Sequence, residues 1–171
     1  MRSSRPSSDE HDRYRARVLV VDDRENIRSL LRSLLAESFE VTTAEDGKQA
    51  IELVAANEFD VIVSDIRMPG VDGYTVMNEA RRRWPDVEVV LMTAYGSIRA
   101  AVEAVRGGAH DYLTKPFEPE KALLAVQRAA ERKRLREQVS ELRTALASSQ
   151  RFERLIGRSA PMQEIFGLME R

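Results

Sequence analysis

A chain of 171 residues with 43% hydrophobic content can fill one core of ordinary size and carry an appendage. A formal net charge of -1 argues against a dominant nucleic-acid-binding surface on this chain, and the absence of Cys excludes disulfides and thiol chemistry, which suits the cytoplasm. No apolar run approaches the roughly 18 residues of a membrane span, and no signal-peptide core follows the start, so a soluble, intracellular, cytoplasmic protein is expected.

Residues 1–16 are Ser, Arg and acids with almost nothing to bury, and a disordered N-terminal tail is expected there. From residue 17 strands and helices alternate. Val18-Leu19-Val20-Val21 is a short apolar run of the kind buried in a parallel sheet, and it ends on Asp22-Asp23. An amphipathic helix follows, with Ile27, Leu30, Leu31, Leu34 and Leu35 on its apolar face. Phe39 to Ala44 reads as the second strand, Asp46-Gly47 as its turn, and Ala50, Ile51, Leu53 and Val54 as the apolar face of the second helix. Val61-Ile62-Val63 is the third strand; it carries Asp65 to its C-terminal end, where Met68-Pro69-Gly70 makes a turn. A helix from about Asp72 (Tyr74, Val76, Met77, Ala80) is stopped by Trp84-Pro85, because the residue before proline is pushed out of the helical region. Val87 to Met92 is the fourth strand. A short helix (Ile98, Ala101, Val102, Val105) closes at Gly107-Gly108, and Asp111 to Thr114 is the fifth strand. Five strands alternating with helices imply an α/β domain over residues 17–131, a parallel sheet covered on both faces.

After Lys115-Pro116-Phe117 the pattern changes. From Glu118 to about Ser148 helix formers dominate, and Leu135, Val139, Leu142 and Leu146 recur at +4, +3, +4, the stripe of a short coiled coil. Residues 132–150 are therefore expected to be a helical coiled-coil linker, ending in a break at Ala147-Ser148-Ser149-Gln150. Residues 151–171 start another helix that Ser159 could cap, and they read as the truncated opening of a further domain.

In open α/β sheets, sites lie at the C-terminal edge of the strands. Asp22, Asp23 and Asp65 all arrive there. Each acid alone could be a loop residue or helix cap, but three converging carboxylates repel strongly unless they are solvated, protonated or holding a hard cation such as Mg²⁺. Thr93 ends the fourth strand and Lys115 the fifth, which adds a hydroxyl donor and an ammonium opposite the acids. Such a set is a receptor for a phosphoryl group.

The stretches VLVVDD, SDIRMPGVDG, MTAYG and DYLTKPF resemble the receiver domains of two-component response regulators over roughly residues 17–131. The resemblance implies a flavodoxin-like (βα)5 fold with a five-stranded parallel sheet. It also implies that Asp65 is the phosphoacceptor and that Asp23, with Asp22 and the backbone carbonyl of Arg67, holds Mg²⁺. Thr93 matches the switch hydroxyl, Tyr112 the switch aromatic and Lys115 the phosphoryl partner, with Lys115-Pro116 often cis. The C-terminal LIGRSAPMQEIFGLMER looks like the opening of the AAA+ domain of sigma-54-dependent, NtrC-type activators. The GxxxxGK[ST] phosphate loop of such a domain is not in this sequence, so ATPase activity is not expected from these residues.

The implied partner is a sensor histidine kinase, whose phosphohistidine would give its phosphoryl group to Asp65. In the full-length protein the partners would be the AAA+ domain, sigma-54 RNA polymerase and DNA. Arg67 and Tyr95, two residues beyond the acceptor and the switch threonine, stand beside the path of a hydrolytic water in this fold, and a long-lived phosphorylated state is expected. The stripe of Leu135, Val139, Leu142 and Leu146 predicts a homodimer through the linker helix. Two rival readings are a Mg²⁺-dependent aspartyl-phosphate phosphatase and an unphosphorylated pseudo-receiver that only dimerises. The first suffers from Arg67, which stands where haloacid-dehalogenase-like enzymes place a second Asp. The second should have lost some of the five site residues. Dinucleotide or flavin binding lacks its glycines around Val21-Asp22-Asp23-Arg24. For His11 and His110, exposed or edge roles are expected rather than metal or phosphorelay chemistry.

Overall fold

A computed structural model describes residues 15–94 and 107–157. Five strands, β1 (Arg17–Val21), β2 (Glu40–Ala44), β3 (Val61–Asp65), β4 (Glu88–Thr93) and β5 (Asp111–Thr114), form one parallel sheet in the order β2-β1-β3-β4-β5. The described helices are α1 (Glu25–Leu35), α2 (Gly47–Ala56), α3 (Gly73–Arg83) and α4 (Pro119–Gly157). The helix expected around Ile98 to Val105 lies outside the described residues, as do the N-terminal tail and the segment after Gly157.

Alternation along the central strands explains why the sheet is covered twice. Leu19, Val21, Ile62, Val89 and Leu91 face one way and pack with Ala50 and Val54 of α2 and Val76, Met77 and Ala80 of α3. Val18, Val20, Val61, Val63, Val90 and Met92 face the other way, against Leu31 and Leu35 of α1 and Ala122, Ala125, Val126 and Ala129 of α4. Both faces of β3 and β4 are buried throughout, so these strands read as unbroken apolar runs rather than alternating ones.

Local chemistry sets the helix ends. Asp46 and Asp72 cap α2 and α3, each carboxylate accepting an N–H three residues on, from Gln49 at 2.7 Å and Thr75 at 2.8 Å. Trp84, before Pro85, ends α3. Pro119 opens α4 at a position whose N–H would have no helical partner. That helix runs on through Ser148-Ser149 to Gly157, where the sequence suggested a break. Serine costs a helix only a few tenths of a kcal/mol, and neither Gly nor Pro interrupts before Gly157. The chain divides into two units, Met1–Lys133 and Arg134–Arg171. Among the described residues no helix is long and apolar enough to cross a membrane.

Candidate phosphoryl and cation site

The sheet order places the strand reversal between β1 and β3, where clefts open in doubly wound folds. Val21 lies opposite Ser64, so Asp22 and Asp65, the next residues of the two strands, leave the sheet at one level. Asp65 in turn pairs with Met92 of β4, one residue before Thr93. Thr93 pairs with Thr114 of β5, and the following Lys115 N–H donates to the Thr93 carbonyl at 2.6 Å. Four adjacent strands thus bring the five side chains singled out from the sequence to one edge.

Their environments differ. Asp22 is fully buried, Asp65 and Thr93 nearly so, and Asp23 is exposed. Carboxylate oxygens of all three acids lie within 4.8 Å of one another. The Lys115 ammonium bridges two of them, donating to Asp22 Oδ2 at 2.5 Å and to Asp65 Oδ2 at 2.8 Å. Burial pushes the Asp22 carboxyl above its ordinary value and the charge of Asp65 adds to this, while hydrogen bonds from Lys115 and the Arg24 N–H pull the other way. Asp23, Arg24, Asp65, Arg67, Ala94 and Lys115 line a cavity of about 150 Å³. Arg67 is therefore at the site, and its own N–H points at Asp65 Oδ1 from 3.4 Å.

Tyr112 is not in that cavity. It packs against the core on the α2 and α3 side of the sheet and lines a separate cavity of about 350 Å³ with Phe117 and Lys121. Tyr95 lies outside the described residues. His110 is half-buried rather than a plain edge residue, its Nδ1 3.3 Å from Glu88 Oε2, with the Arg132 guanidinium on the same carboxylate at 3.5 Å. Leu135, Val139, Leu142 and Leu146 are 47–64% exposed, an apolar stripe in water.

Three features of the site escaped the sequence reading. A Cβ on Gly73 would lie 2.2 Å from the Asp65 carbonyl oxygen, so only glycine lets α3 begin against the Asp65 backbone. The Arg24 N–H binds Asp22 Oδ1 at 2.9 Å, and Arg28 Nη1 binds the Asp22 carbonyl at 2.8 Å. No periodicity marks such contacts; an arginine one turn inside a helix reads as solvated surface.

The sequence model of the response regulator receiver domain matches residues 18–127. The chain belongs to this receiver family. Regulatory protein AtoC of Escherichia coli strain K12 is 38% identical over 150 residues, which cover 87% of this chain and 32% of AtoC. The C4-dicarboxylate transport transcriptional regulatory protein DctD of Pseudomonas aeruginosa is 41% identical over 150 residues, covering 86% of this chain and 32% of DctD. Among solved structures, NtrX from Brucella abortus superposes with a TM-score of 0.71 at 34% identity, over 75% of this chain and 30% of NtrX. The chemotaxis protein CheY4 of Vibrio cholerae gives 0.63 at 34% identity, over 68% of this chain and 99% of CheY4. The receiver chain spans about a third of the length of the curated relatives it matches. Its acidic pocket suits a hard divalent cation: the donors are all carboxylate oxygens, with no His or Cys among them.

Proposed function

We propose that this receiver takes a phosphoryl group onto Asp65 from the phosphohistidine of a sensor histidine kinase, in the cytoplasm. The observation that carries the reading is the Lys115 ammonium bridging Asp22 and Asp65, with Asp23 in the same 4.8 Å cluster at the mouth of a cavity. In the transfer an Asp65 carboxylate oxygen bonds to phosphorus as the phosphorus–nitrogen bond breaks, and the electron pair stays on the imidazole. Asp22, Asp23, Asp65 and the Arg67 carbonyl would hold Mg²⁺, which would supply positive charge against the phosphoryl oxygens. Lys115 donates to those oxygens from its present position between the acids, and the Thr93 hydroxyl, on the neighbouring strand end, donates a further hydrogen bond. Drawing Thr93 toward the phosphoryl group opens space for Tyr112 to turn inward, which biases that face of the domain between two packings. Arg67 and Tyr95 obstruct a hydrolytic water and lengthen the life of the acyl phosphate.

The output we propose is control of assembly in a sigma-54-dependent transcriptional activator, with the linker helix over residues 132–150 pairing two copies and residues 151–171 opening the AAA+ domain. Contacts with sigma-54 RNA polymerase and DNA belong to the parts of such a protein beyond this chain. The test is chemical. A small phosphodonor with Mg²⁺ should add one base-labile phosphoryl group per chain, read by intact mass, and Asp65→Asn should add none. Phosphate located on a Ser, Thr or His would refute the reading.

A further inference from the structure

Asp22 is held at every polar atom. Its N–H donates to the Ala44 carbonyl at 3.2 Å, its Oδ1 accepts from the Arg24 N–H at 2.9 Å, and its Oδ2 accepts from Lys115 at 2.5 Å. The fourth bond differs in kind, because Arg28 Nη1 reaches back from within α1 to the Asp22 carbonyl at 2.8 Å. That carbonyl belongs to the planar peptide joining Asp22 to Asp23, so fixing it fixes the plane from which the Asp23 side chain departs. Asp23 needs such support. It is exposed, and the two carboxylates beside it repel its own. At the start of α1 the Arg24 N–H is held by Asp22 Oδ1, but the Arg24 side chain makes no capping bond, so Arg28 is the side chain of α1 that reaches back to this turn.

We propose that Arg28 is a positioning residue for the cation-binding acids, acting on Asp23 through the Asp22–Asp23 peptide. The inference rests on the reading of Asp22, Asp23 and Asp65 as a Mg²⁺ site. Arg28 is half-buried and its guanidinium is a rigid planar donor, so the carbonyl is held by geometry as well as charge. Two effects of removing it oppose each other. Loss of a nearby positive charge strengthens cation binding, by a modest factor in a solvent-screened location. Loss of an orienting partner weakens it, typically 10–100-fold. The positioning role requires the second to win.

Calorimetric titration of Mg²⁺ into the parent, Arg28→Met, Arg28→Lys and Asp23→Asn proteins decides it, with helix content checked by circular dichroism. Arg28→Met should bind roughly tenfold more weakly at unchanged helix content. Its Asp23 and Arg24 amide protons should exchange faster than the parent's. Equal or tighter binding by Arg28→Met overturns the proposal, because that is what loss of charge alone gives. Should Arg28→Met lose helix content, Arg28→Lys decides: it keeps the charge but not the fork, so weaker binding than the parent supports positioning and equal binding overturns it. A parent that binds Mg²⁺ no better than Asp23→Asn refutes the cation site itself, a result distinct from failure of the Arg28 inference alone.

Discussion

Replacing Lys115 by Met removes the ammonium and keeps most of the stem. In the cation-free protein this leaves Asp22 fully buried and Asp65 nearly so, with the charge that bridged them at 2.5 and 2.8 Å gone. Breaking a buried pair by deleting one partner costs about 3–5 kcal/mol. Asp22 has an escape, since burial already raises its affinity for a proton, so the expected loss at pH 7 sits at the lower end, about 3 kcal/mol. For a chain of this size that is roughly 10 °C in Tm. The sign of the pH dependence follows from the raised pKa. The folded state binds the Asp22 proton more tightly than the unfolded state does, so acidification toward that pKa returns stability, the reverse of an aspartate whose pKa folding depresses. Removing Lys115 takes away a hydrogen bond and a charge that hold the Asp22 pKa down, so it rises further in the variant, and the deficit of Lys115→Met against the parent should be smaller at mildly acidic pH than at pH 7. Millimolar Mg²⁺ should stabilise the variant more than the parent, because the cation then supplies the positive charge that the Lys115 ammonium no longer gives the acids. Thermal unfolding followed by circular dichroism, in EDTA and in Mg²⁺ at both pH values, reads all three. A variant as stable as the parent in EDTA at pH 7, or a deficit that grows on acidification, would refute the electrostatic account.

At Gly73, substitution by Ala puts a Cβ 2.2 Å from the Asp65 carbonyl oxygen and 2.9 Å from its carbon. The backbone must shift, and a loss of about 2–3 kcal/mol in urea unfolding is expected, together with slower phosphorylation. Deleting the Glu88 side chain by Glu88→Ala strips His110 and Arg132 of the carboxylate at 3.3 and 3.5 Å, and about 2 kcal/mol should be lost by the same assay. For the linker, pairing two chains would bury the exposed half of Leu135, Val139, Leu142 and Leu146, about 1 kcal/mol each before ordering costs. Sedimentation should show a parent dimer that Val139→Asp with Leu142→Asp converts to a monomer; a parent that stays monomeric at micromolar concentration counts against pairing through the linker.

The strands were legible because a strand covered on both faces has no polar position to interrupt it. Val61-Ile62-Val63 and Val89-Val90-Leu91-Met92 are such runs, followed by Ser64-Asp65 and by Thr93 where the sheet edge begins. The acids were legible for the same reason, since a run of apolar β-branched residues fixes where its first carboxylate must emerge. What stayed hidden depends on contacts between distant positions. Lys133, almost wholly buried, meets Glu58 at 3.2 Å across 75 residues, and nothing in a helix of Arg, Lys and Glu singles it out as different from its solvated neighbours. Gly73 reads as a helix start until the approach of Asp65 is seen. The break expected at Ser148-Ser149 is absent because two serines lower helix propensity only slightly, too little to interrupt a run free of Gly and Pro between Pro119 and Gly157.

Buried polar groups elsewhere in the domain find partners close by, which sets the carboxylate cluster apart. Buried Asp60 accepts the Arg17 N–H at 2.7 Å, Glu88 is faced by His110 and Arg132, and Lys133 finds Glu58. At the C-terminal edge of the sheet, three carboxylates lie within 4.8 Å of one another, and the Lys115 ammonium contacts two of them in a cavity that Arg24 and Arg67 also line. A fold selected only for stability has no use for that crowding, since burial and the neighbouring Asp65 charge raise the cost of keeping Asp22 ionised. On the proposed function, Asp22, Asp23 and Asp65 would hold a divalent cation that offsets their crowding, and Lys115 would then be free to share its charge with a phosphoryl group. The same crowding that costs stability would in this way make cation and phosphoryl group favour one another's binding.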